Sequence, residues 1–510
     1  MLAVVRSVGM FGLEGFIVDV EVDISSGLPG LDIVGLPTAA VKESKERVRA
    51  ALRNSGMEFP LGHITVNLAP ADQRKEGPVF DLPIAVGLMA ASGRLINDDY
   101  KKFVYLGELS LDGTVRGVTG ILPSVMAAQE ISDAAGIIVS AENADEAALV
   151  DTIPVFPAKN LGHIADFLNG QVKIDRHTVD IQALIREKTT PSHEDMADVQ
   201  GHFKAKRALE IAAAGGHNLI MIGPPGSGKT MLARRLAQIT PQMSFEEALE
   251  STKIYSVSGL LTSDLPLLTD RPFRSPHHSV SKAGMIGGGT FLKPGEISLS
   301  HNGVLFMDEF PEYNKDTLES LRQPMEDGRV CISRVTGRVE YPARMMLVAA
   351  MNPCPCGYYG DDSRECTCTP MQIVRYKGRV SGPLLDRIDI HIEVSRVKYQ
   401  ELQESKRSES SAEIRQRIEN ARLTQRKRFA GTGTHSNAGM SSREIRMYCQ
   451  VDGQAAALLK GAFEKLHLSA RAYSRVLKVA RTIADLQENE KIRREHIAEA
   501  IQYRSMDRIY

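Results

Sequence analysis

Short apolar runs alternate with amphipathic stretches through about the first 170 residues of this chain. The runs "GFIVDVEVDI", "HITVNLAP" and "GIIVS" have the length and the apolar pattern of strands. The stretches "AAVKESKERVRAALRNSG" and "DLPIAVGLMAASG" have the composition and length of helices. This alternation predicts one α/β domain over residues 1–170.

A polar stretch separates that domain from the rest of the chain. Residues 171–195 end in "REKTTPSHEDMAD", where polar side chains and a proline predict a linker. Residues 196–395 alternate apolar strands with helices, which predicts a parallel sheet with helices on both faces. Residues 396–510 are helical and strongly charged, and "SSRE" offers a helix-capping box. The predicted fold class is multidomain α/β with a helical C-terminal part.

Length and composition narrow the class of protein. A chain of 510 residues is too long for one ordinary core, and 43% hydrophobic with 25% charged residues is typical of soluble globular proteins. No apolar run approaches the ~20 residues of a membrane span. The start, "MLAVVRSVGMFGLEG", lacks the uninterrupted apolar stretch of a signal peptide. We therefore expect a cytoplasmic protein with no membrane partner.

The formal net charge of −1 conceals an asymmetry along the chain. Residues 1–170 hold 13 Lys and Arg against 22 Asp and Glu, so the remaining 340 residues hold 49 against 41. A modestly basic C-terminal part is compatible with a polyanionic partner, and equally with an ordinary solvated surface. Charge alone does not decide between them.

The segment "GPPGSGKTMLARRL", residues 223–236, carries the pattern G-x-x-x-x-G-K-T and follows the apolar run "HNLIMI". Gly226 and Gly228 allow the backbone to curl so that N–H groups face phosphate oxygens, and the following helix favours an anion at its N-terminus. Lys229 supplies charge for the β/γ end of a triphosphate, and the Thr230 hydroxyl can ligate Mg²⁺. The sequence predicts ATP and Mg²⁺ as cofactors, with the nucleotide held by Gly223, Pro224, Pro225, Gly226, Ser227, Gly228, Lys229 and Thr230.

Two further apolar runs end in polar side chains. "NGVLFMDEF" ends in Asp308, which fits a second carboxylate on the Mg²⁺ side, and Glu309, which fits a base that orients the attacking water. "MMLVAAMNP" ends at Asn352, where an amide can sense the γ-phosphate or its water. The alternative for Asn352 is an asparagine that makes a turn before Pro353.

Four of the six cysteines lie close together in "CPCGYYGDDSRECTC". Two C-x-C pairs, Cys354 with Cys356 and Cys366 with Cys368, can close a tetrahedral Zn²⁺ site, although C-x-x-C is the commoner spacing. The alternative is four reduced thiols in a loop, since a cytoplasmic location disfavours disulfides. The isolated Cys331 and Cys449 are most simply packing residues.

These motifs, followed by "SGPLLDRIDIH" and "LSARAYSRVLKVARTIADL", occur in the order seen in the magnesium-chelatase-like branch of AAA+ ATPases, which the chain resembles. Over essentially all 510 residues, including "IVGLPTAAVKESKERVRAAL" and "IRREHIAEAIQYR" near the two ends, it is similar to the ComM/YifB family of competence-associated ATPases. The resemblance implies an AAA+ core, a C-terminal helical lid of the Mg-chelatase type, and a ring that we expect to be a homo-hexamer.

The resemblance also implies roles for individual residues. It makes Asp308 and Glu309 the Walker B pair and Asn352 sensor 1. Arg387 of "LLDRID" would be an arginine finger that reaches the nucleotide of the neighbouring subunit, and Arg471 of "SARAYSR" matches sensor 2. For either arginine, the alternative is a surface ion pair.

Two insertions typical of this AAA+ branch are visible. One is the Gly- and Pro-rich stretch "RPFRSPHHSVSKAGMIGGGTFLKPGEISLSHNG", and the other is "RVCISRVTGRVEYPA", which alternates like a hairpin with Thr336 and Gly337 at its turn. Related ring motors project such hairpins into a central pore. Positive charges there would track a phosphate backbone without reading bases, and the alternative is an ordinary polar hairpin. The predicted nucleic-acid contacts are Lys282, Arg329, Arg334 and Arg338.

The N-terminal domain resembles the ribosomal-S5-like proteolytic domain of Lon-type proteases through "RKEGPVFDLPIAVGLMAASGRL" and "LGELSLDGTVRGVTGILPSVMAA". Val79 and Leu122 occupy the positions of that family's serine and lysine, and neither can act as a nucleophile or a base. Ser124 lies two positions further on and has no evident base. A domain without the dyad is expected to serve assembly or partner contact.

The resemblance implies an ATP-driven ring motor that promotes branch migration of recombination intermediates, as in integration of DNA during natural transformation. Its expected partners are single-stranded and branched DNA, with a recombinase or competence proteins as further candidates. Two other functions stay open. One is a chelatase-like motor that remodels a metal-inserting partner, and the other is a protein-remodelling ATPase or protease adaptor that docks partners on the N-terminal domain.

Overall fold

The computed structural model describes residues 2–187, 194–289, 292–334, 337–397, 409–466 and 469–504. The chain packs into two compact units. Unit 1 comprises residues 1–189, 245–269 and 333–341, and unit 2 comprises 190–244, 270–332 and 342–510. Within the described ranges, no helix has both the length and the apolar character needed to cross a membrane.

The strands follow the predicted alternation. The described strands are β1 (Leu2–Phe11), β2 (Glu14–Ser25), β3 (Gly30–Val34), β4 (His63–Ala69), β5 (Phe103–Leu106), β6 (Glu108–Leu109), β7 (Val115–Arg116), β8 (Gly136–Ser140), β9 (Val155–Ala158), β10 (Leu219–Ile222), β11 (Phe273–Arg274), β12 (Gly287–Gly288), β13 (Lys293–Pro294), β14 (Val304–Met307), β15 (Arg329–Arg334), β16 (Gly337–Pro342), β17 (Met346–Met351) and β18 (Ile390–Glu393).

The helices are concentrated towards the C-terminus. The described α-helices are α1 (Ala39–Lys42), α2 (Ser44–Asn54), α3 (Asp81–Ala91), α4 (Ile121–Ala128), α5 (Ala144–Ala147), α6 (Leu161–Leu168), α7 (Ile181–Glu187), α8 (Phe203–Gly215), α9 (Lys229–Ile239), α10 (Phe245–Ser258), α11 (Lys282–Ile286), α12 (Glu296–Leu299), α13 (Lys315–Ser320), α14 (Arg322–Asp327), α15 (Pro370–Lys377), α16 (Gly382–Leu385), α17 (Ser411–Arg428), α18 (Ser442–Tyr448), α19 (Gly453–Leu466), α20 (Ala470–Leu486) and α21 (Arg494–Gln502).

Unit 1 is built on a mixed seven-stranded sheet in the order β3-β4-β2-β1-β5-β8-β9. Strands β1, β2 and β4 pair antiparallel, whereas β1, β5, β8 and β9 pair parallel. In β2 the alternation of apolar and acidic residues buries Val18, Val20 and Val22 completely. Helix α3 is apolar on all sides and every one of its residues is buried, as expected of a helix inside a core.

The positions aligned with a Lon-type dyad lie inside unit 1. Leu122 is fully buried in α4, and its N–H donates to Glu146 Oε1 at 2.9 Å. The Ser256 hydroxyl of α10 donates to the same oxygen at 2.5 Å, so the inserted helix 245–258 packs within this unit. The Ser124 hydroxyl donates to the carbonyl of Gly120 at 2.6 Å. These contacts are those of a packed core, and the lack of peptidase chemistry stays a prediction.

Unit 2 contains a fully parallel five-stranded sheet in the order β11-β14-β17-β10-β18. Ile222 pairs with Met351, so the carboxyl ends of β10 and β17 lie side by side. Met307, at the end of β14, pairs with Ala349 of β17. This sheet confirms the predicted α/β class with a parallel core, and parallel sheets bind ligands at this carboxyl edge.

The C-terminal helices complete the core of unit 2. Buried side chains of α17, α20 and α21 join those of α8, α9 and the sheet in one continuous hydrophobic cluster. The helical C-terminal part was predicted to start at residue 396. Residues 398–408 lie outside the described residues, and the first described helix of this part begins at Ser411. Residues 188–193 of the predicted linker and Thr336 of the predicted hairpin turn also lie outside them. The predicted lid and domain boundaries stay predictions.

Candidate nucleotide-binding site

The loop between β10 and α9 has the backbone that its glycines allow. Gly226 and Gly228 have φ angles of +75° and +82°, in the left-handed region that favours glycine. At Gly223 a Cβ atom would lie 2.1 Å from the carbonyl oxygen of Val394, so the close approach of β18 requires glycine there. Gly228 caps α9, which directs the N-terminus of that helix at the loop.

Lys229 lies beneath this loop and is bonded on several sides. Its Nζ donates to the carbonyls of Gly223 at 2.7 Å and Pro224 at 2.9 Å, and to Asn352 Oδ1 at 3.3 Å. Burial lowers the pKa of the Lys229 ammonium, and the nearby Asp308 carboxylate opposes that shift. The ammonium is therefore positioned by the loop and by the strand that ends at Asn352.

The two side chains predicted to lie near Mg²⁺ meet directly. The Thr230 hydroxyl donates to Asp308 Oδ2 at 2.6 Å, and the N–H of Glu309 donates to the other oxygen of Asp308 at 2.9 Å. Glu309 has a φ of +50° in the left-handed region, which is uncommon for a residue with a side chain. This backbone bends the chain sharply after β14 and separates the two carboxylates.

The Glu309 carboxylate has a partner that the sequence did not predict. Its Oε2 lies 3.1 Å from His278 Nδ1, and the two side chains are 57% and 36% exposed. His278 also packs edge-to-face on Tyr313, whose hydroxyl donates to the carbonyl of Pro276 at 2.6 Å. His278 belongs to the Gly- and Pro-rich insertion, so this insertion contacts and positions the predicted base Glu309.

These residues fit a magnesium–triphosphate. The Ser227 hydroxyl is buried and lacks a hydrogen-bond partner among the described residues, and the space around Gly226 is open. A phosphate oxygen at the loop would satisfy such a donor, as buried polar groups require. Thr230 and Asp308 are oxygen ligands of the type Mg²⁺ prefers. The chain therefore offers a cradle for phosphates and a hydroxyl–carboxylate pair for the metal.

The predicted finger and sensor arginines converge on one acid. Arg387 Nη2 lies 2.6 Å from Glu326 Oε1, its Nη1 donates to the carbonyl of Pro383 at 2.6 Å, and its side chain is only 6% exposed. Arg471 Nη2 lies 3.8 Å from the same Glu326 oxygen, and its side chain is 59% exposed. The hydrogen bond from Arg387 is the main cause that lowers the pKa of Glu326. In this conformation, Arg387 is engaged within its own chain, and its predicted role in trans stays a prediction.

A buried polar network connects α20 to the sheet, and only scattered polar residues mark it in the sequence. Asp389 accepts hydrogen bonds from Arg475 and from His217 Nδ1, the latter at 3.2 Å. The other nitrogen of His217 lies 2.8 Å from the Thr482 hydroxyl. Burial is the largest single influence and opposes ionisation of Asp389, but the charge of Arg475 together with the hydrogen bond and charge of His217 outweighs it and holds the Asp389 pKa well below its usual range. This network fixes α20, which carries Arg471, relative to β18.

The predicted nucleic-acid contacts lie on exposed surface. Strands β15 and β16 form a two-stranded sheet, as the alternating pattern predicted. Lys282 begins α11, Arg329 and Arg334 are in β15, and Arg338 is in β16, and all four are exposed. The segment 333–341 belongs to unit 1, where a Cβ atom at Gly337 would lie 2.5 Å from the ring of Phe11. The start of β16 therefore packs against the end of β1 within unit 1.

The four clustered cysteines bring their sulfurs together. All are free thiols, and their sulfurs lie within 4.8 Å of one another in an arrangement that can hold a metal ion. Cys354 Sγ lies 3.3 Å from Cys356 Sγ and 3.6 Å from Cys366 Sγ. The N–H of Cys356 donates to Cys368 Sγ at 3.4 Å, which completes the cluster. This cluster follows directly on β17 and Asn352.

Comparison with known protein families covers most of the chain. The model "Magnesium chelatase, subunit ChlI" matches residues 195–402, "Subunit ChlI of Mg-chelatase" matches 20–143, and "Magnesium chelatase, subunit ChlI C-terminal" matches 408–504. The first of these ranges includes the nucleotide-binding loop, Asp308, Asn352 and the cysteine cluster.

Comparison with individual proteins points the same way. The chain is 46% identical over 512 residues to the competence protein ComM of Haemophilus influenzae, a match that covers 100% of this chain and 98% of that protein. It is 45% identical over 515 residues to the uncharacterized protein YifB of Escherichia coli, with the same two coverages. A weaker match, 23% identical over 333 residues, covers 62% of this chain and 35% of the zygotic DNA replication licensing factor mcm3 of Xenopus tropicalis.

Proposed function

We propose, from the premise that this chain belongs to the ComM/YifB family of magnesium-chelatase-like AAA+ ATPases, that it is an ATP-driven ring motor that promotes branch migration of recombination intermediates. The observation that carries the ATPase part is the convergence of Lys229, Thr230, Asp308 and Asn352 at the carboxyl edge of the parallel sheet. The name of the Haemophilus relative, a competence protein, supports a role in uptake and integration of DNA.

Each residue at the nucleotide site has a task that follows from its position. The loop N–H groups and the Lys229 ammonium bind phosphate oxygens, and Asn352 orients that ammonium through its 3.3 Å contact. Glu309 accepts a proton from the attacking water at its carboxylate, and His278 positions that carboxylate from the other side. Thr230 and Asp308 would hold Mg²⁺, which would supply positive charge to neutralise the phosphates.

In the proposed ring, the two arginines act on the nucleotides of different subunits. In this proposal Arg387 leaves Glu326 when a neighbouring subunit presents its nucleotide, and Arg471 acts on the nucleotide of its own subunit. Glu326 then serves as the resting partner of both guanidinium groups. The proposed assembly is a homo-hexamer, and the more distant similarity to a DNA replication licensing factor is in keeping with a DNA-associated ATPase.

Mixing two inactive variants tests whether Arg387 acts in trans. We expect Arg387→Ala and Lys229→Ala proteins to be inactive alone, and a one-to-one mixture to recover hydrolysis because about a quarter of the interfaces in a mixed ring then join an intact Arg387 to an intact Lys229. The measurement is phosphate release after subunits have exchanged. A mixture of Lys229→Ala with the Lys229→Ala/Arg387→Ala double variant is the matched control and should stay inactive. Absence of recovery in subunits that demonstrably mix would assign Arg387 a structural role only.

DNA is proposed to run along the exposed positive charges. Lys282, Arg329, Arg334 and Arg338 can neutralise phosphates without contacting bases, which suits a motor that moves over any sequence. Arg334 and Arg338 lie on neighbouring strands of one hairpin, so their charges are spaced along its surface. The proposal predicts affinity for DNA that falls steeply with salt.

The test of this function is ATP hydrolysis with and without single-stranded and branched DNA. We expect stimulation by DNA, and strand exchange on a branched substrate that requires ATP. The Arg334→Ala/Arg338→Ala variant should bind DNA more weakly, with the slope of log affinity against log salt reduced by about one to two. The Arg443→Ala/Arg446→Ala variant removes two exposed arginines from helix α18 and should behave as the unmodified protein. Hydrolysis that ignores DNA and responds to a protein would instead favour a protein-remodelling ATPase.

That second candidate has one observation in its favour. Strand β3 lies at the edge of the unit 1 sheet, and the neighbouring Leu28 and Leu61 are 89% and 93% exposed. Exposed apolar side chains beside an open strand edge are typical of surfaces that bind a protein. A chelatase-like motor would act on a protein partner as well, so the same hydrolysis assay separates both alternatives from a DNA motor.

A further inference from the structure

The four-cysteine cluster has sulfur–sulfur distances close to those of a single metal site. A Zn–S bond of about 2.3 Å places neighbouring sulfurs of a tetrahedral Zn²⁺ site about 3.8 Å apart. The pairs Cys354–Cys356, Cys354–Cys366 and Cys356–Cys366 lie at 3.3, 3.6 and 3.6 Å, slightly inside that value. Four cysteine sulfurs that all lie within 4.8 Å of one another suit Zn²⁺, which favours four thiolate ligands.

Backbone contacts around the cluster support thiolate ligands. The N–H of Cys356 donates to Cys368 Sγ, and the N–H of Cys368 donates to Cys366 Sγ, both at 3.4 Å. Such N–H donors stabilise negative charge on metal-bound sulfur. Cys354 is fully buried, and a buried sulfur gains more from a metal bond than from a weak S–H contact. The cluster therefore resembles a closed structural site.

The loop that the two cysteine pairs enclose packs on the nucleotide-binding loop. Gly357 has a φ of +86°, and a Cβ atom there would lie only 2.5 Å from Pro225 Cδ. A second contact runs through Arg396, whose Nη2 donates to the carbonyl of Pro225 at 3.3 Å and whose Nη1 donates to Ser363 Oγ at 3.0 Å. Arg396 also lies over the ring of Tyr358 at 5.6 Å. Pro225 is thus held on two sides by residues whose positions depend on closure of the cysteine loop.

The loop 354–368 is also connected through the backbone to Asn352 of the candidate nucleotide site. Asn352, whose Oδ1 accepts from Lys229, precedes Cys354 by two residues. The backbone from Asn352 into the cluster is short, so the position of Cys354 limits the positions that Asn352 can adopt. Closure of the cluster therefore acts on the nucleotide site through both Pro225 and Asn352.

We propose that Cys354, Cys356, Cys366 and Cys368 bind one Zn²⁺ ion and that this ion, by closing the loop 354–368, holds the nucleotide-binding loop in the conformation that binds ATP. Nucleotide affinity then depends on a metal that does not touch the nucleotide. The inference requires only that the loop 223–230 binds a nucleotide, and it is independent of any action on DNA.

Metal content and nucleotide affinity, measured on the full chain, test this proposal. We expect about one zinc per chain by elemental analysis after purification under reducing conditions. Release of zinc with an organomercurial should raise the dissociation constant of a fluorescent ATP analogue by roughly tenfold, which corresponds to about 1.4 kcal/mol. Reversal with a thiol and added zinc should restore the affinity.

Variants distinguish the binding of zinc from the effect of zinc on the nucleotide-binding loop. The Cys356→Ser/Cys366→Ser variant should lose zinc and affinity together, whereas Cys331→Ser, which removes an isolated thiol, should keep both. Arg396→Ala and Gly357→Ala keep all four ligands, and we expect them to retain zinc while nucleotide affinity falls. These two variants and the reversible release remain informative if the double serine variant does not fold.

The outcomes that overturn the proposal are specific. Purified protein that holds no zinc, or holds iron or copper in its place, would contradict the metal assignment. Zinc release that leaves the dissociation constant of the nucleotide unchanged would contradict the coupling. A protein that passes these tests and yet ignores DNA would retain the zinc proposal and lose only the proposed motor function.

Discussion

Replacement of Lys229 by alanine is expected to abolish nucleotide binding. The ammonium is the one charged donor that the loop itself aims at a bound triphosphate, and in the structure it is held by the carbonyls of Gly223 and Pro224 and by Asn352. Charge-assisted hydrogen bonds are worth about 1.5–3 kcal/mol each, so the loss of two corresponds to at least about a hundredfold in affinity. Titration with a fluorescent ATP analogue gives the dissociation constant, and phosphate release gives the residual activity.

A lysine elsewhere in unit 2 provides the control. Lys204 is exposed at the start of α8, and Lys204→Ala makes the same chemical change outside the loop 223–230. It should bind nucleotide as the unmodified protein does. Thermal unfolding without nucleotide should show that both variants remain folded, because burial lowers the pKa of Lys229 and so gives its charge little net value in the nucleotide-free protein. Undiminished affinity in the Lys229→Ala variant would remove the loop 223–230 from its assigned role.

The convergence of residues at the candidate nucleotide site was predictable from the sequence because these residues follow strands of one parallel sheet. Gly223, Asp308 and Asn352 each come directly after an apolar run, and parallel strands bring their carboxyl ends to one edge. Thr230 and Asp308 are far apart in the chain, and the convergence of strand ends at one edge makes their 2.6 Å hydrogen bond possible. The matches to the magnesium chelatase models and to ComM confirm the family that these motifs indicated.

Contacts between loops and helices were not predictable in this way. The pairing of Arg387 with Glu326 joins two segments that carry no common pattern, and nothing in either segment marks the other. The same holds for His278 beside Glu309 and for Arg396 on Pro225. Single polar residues can pair with many others, so only the packed structure selects the pair.

The division of the chain into two units was only partly predictable from the sequence. Helix 245–258 follows the nucleotide-binding region in the chain, and its moderate amphipathic pattern fits a helix in either unit. In unit 1 it makes a specific contact, the hydrogen bond from Ser256 to the buried Glu146. Burial raises the pKa of Glu146, and hydrogen-bond donors such as Ser256 oppose that shift. The sequence pattern does not show this contact, because a serine and a glutamate far apart in the chain carry no common signal.

Replacement of Glu309 by glutamine is expected to stop hydrolysis while ATP stays bound. Glutamine keeps the size of the side chain and can still contact His278, but its neutral amide cannot accept a proton from water. General bases contribute about 10²–10⁴-fold, so turnover should fall by that factor. ATP affinity should change little because Lys229, Thr230 and Asp308 are intact, and the trapped nucleotide should stabilise the ring. Single-turnover hydrolysis and sedimentation with ATP measure the two effects.

The Glu312→Gln variant is the matched control, because it removes a carboxylate charge at a surface residue three positions away from the predicted base. Glu312 pairs with Arg379 at 2.6 Å on the protein surface, and Glu312→Gln should hydrolyse ATP at nearly the normal rate. Glutamate and glutamine at position 309 would both adopt the left-handed backbone, so that backbone does not explain a difference in hydrolysis rate between the Glu309→Gln variant and the unmodified protein. If Glu309→Gln hydrolyses ATP as fast as Glu312→Gln, the water must lose its proton to another group, and the sharp turn after β14 would serve only to position Asp308.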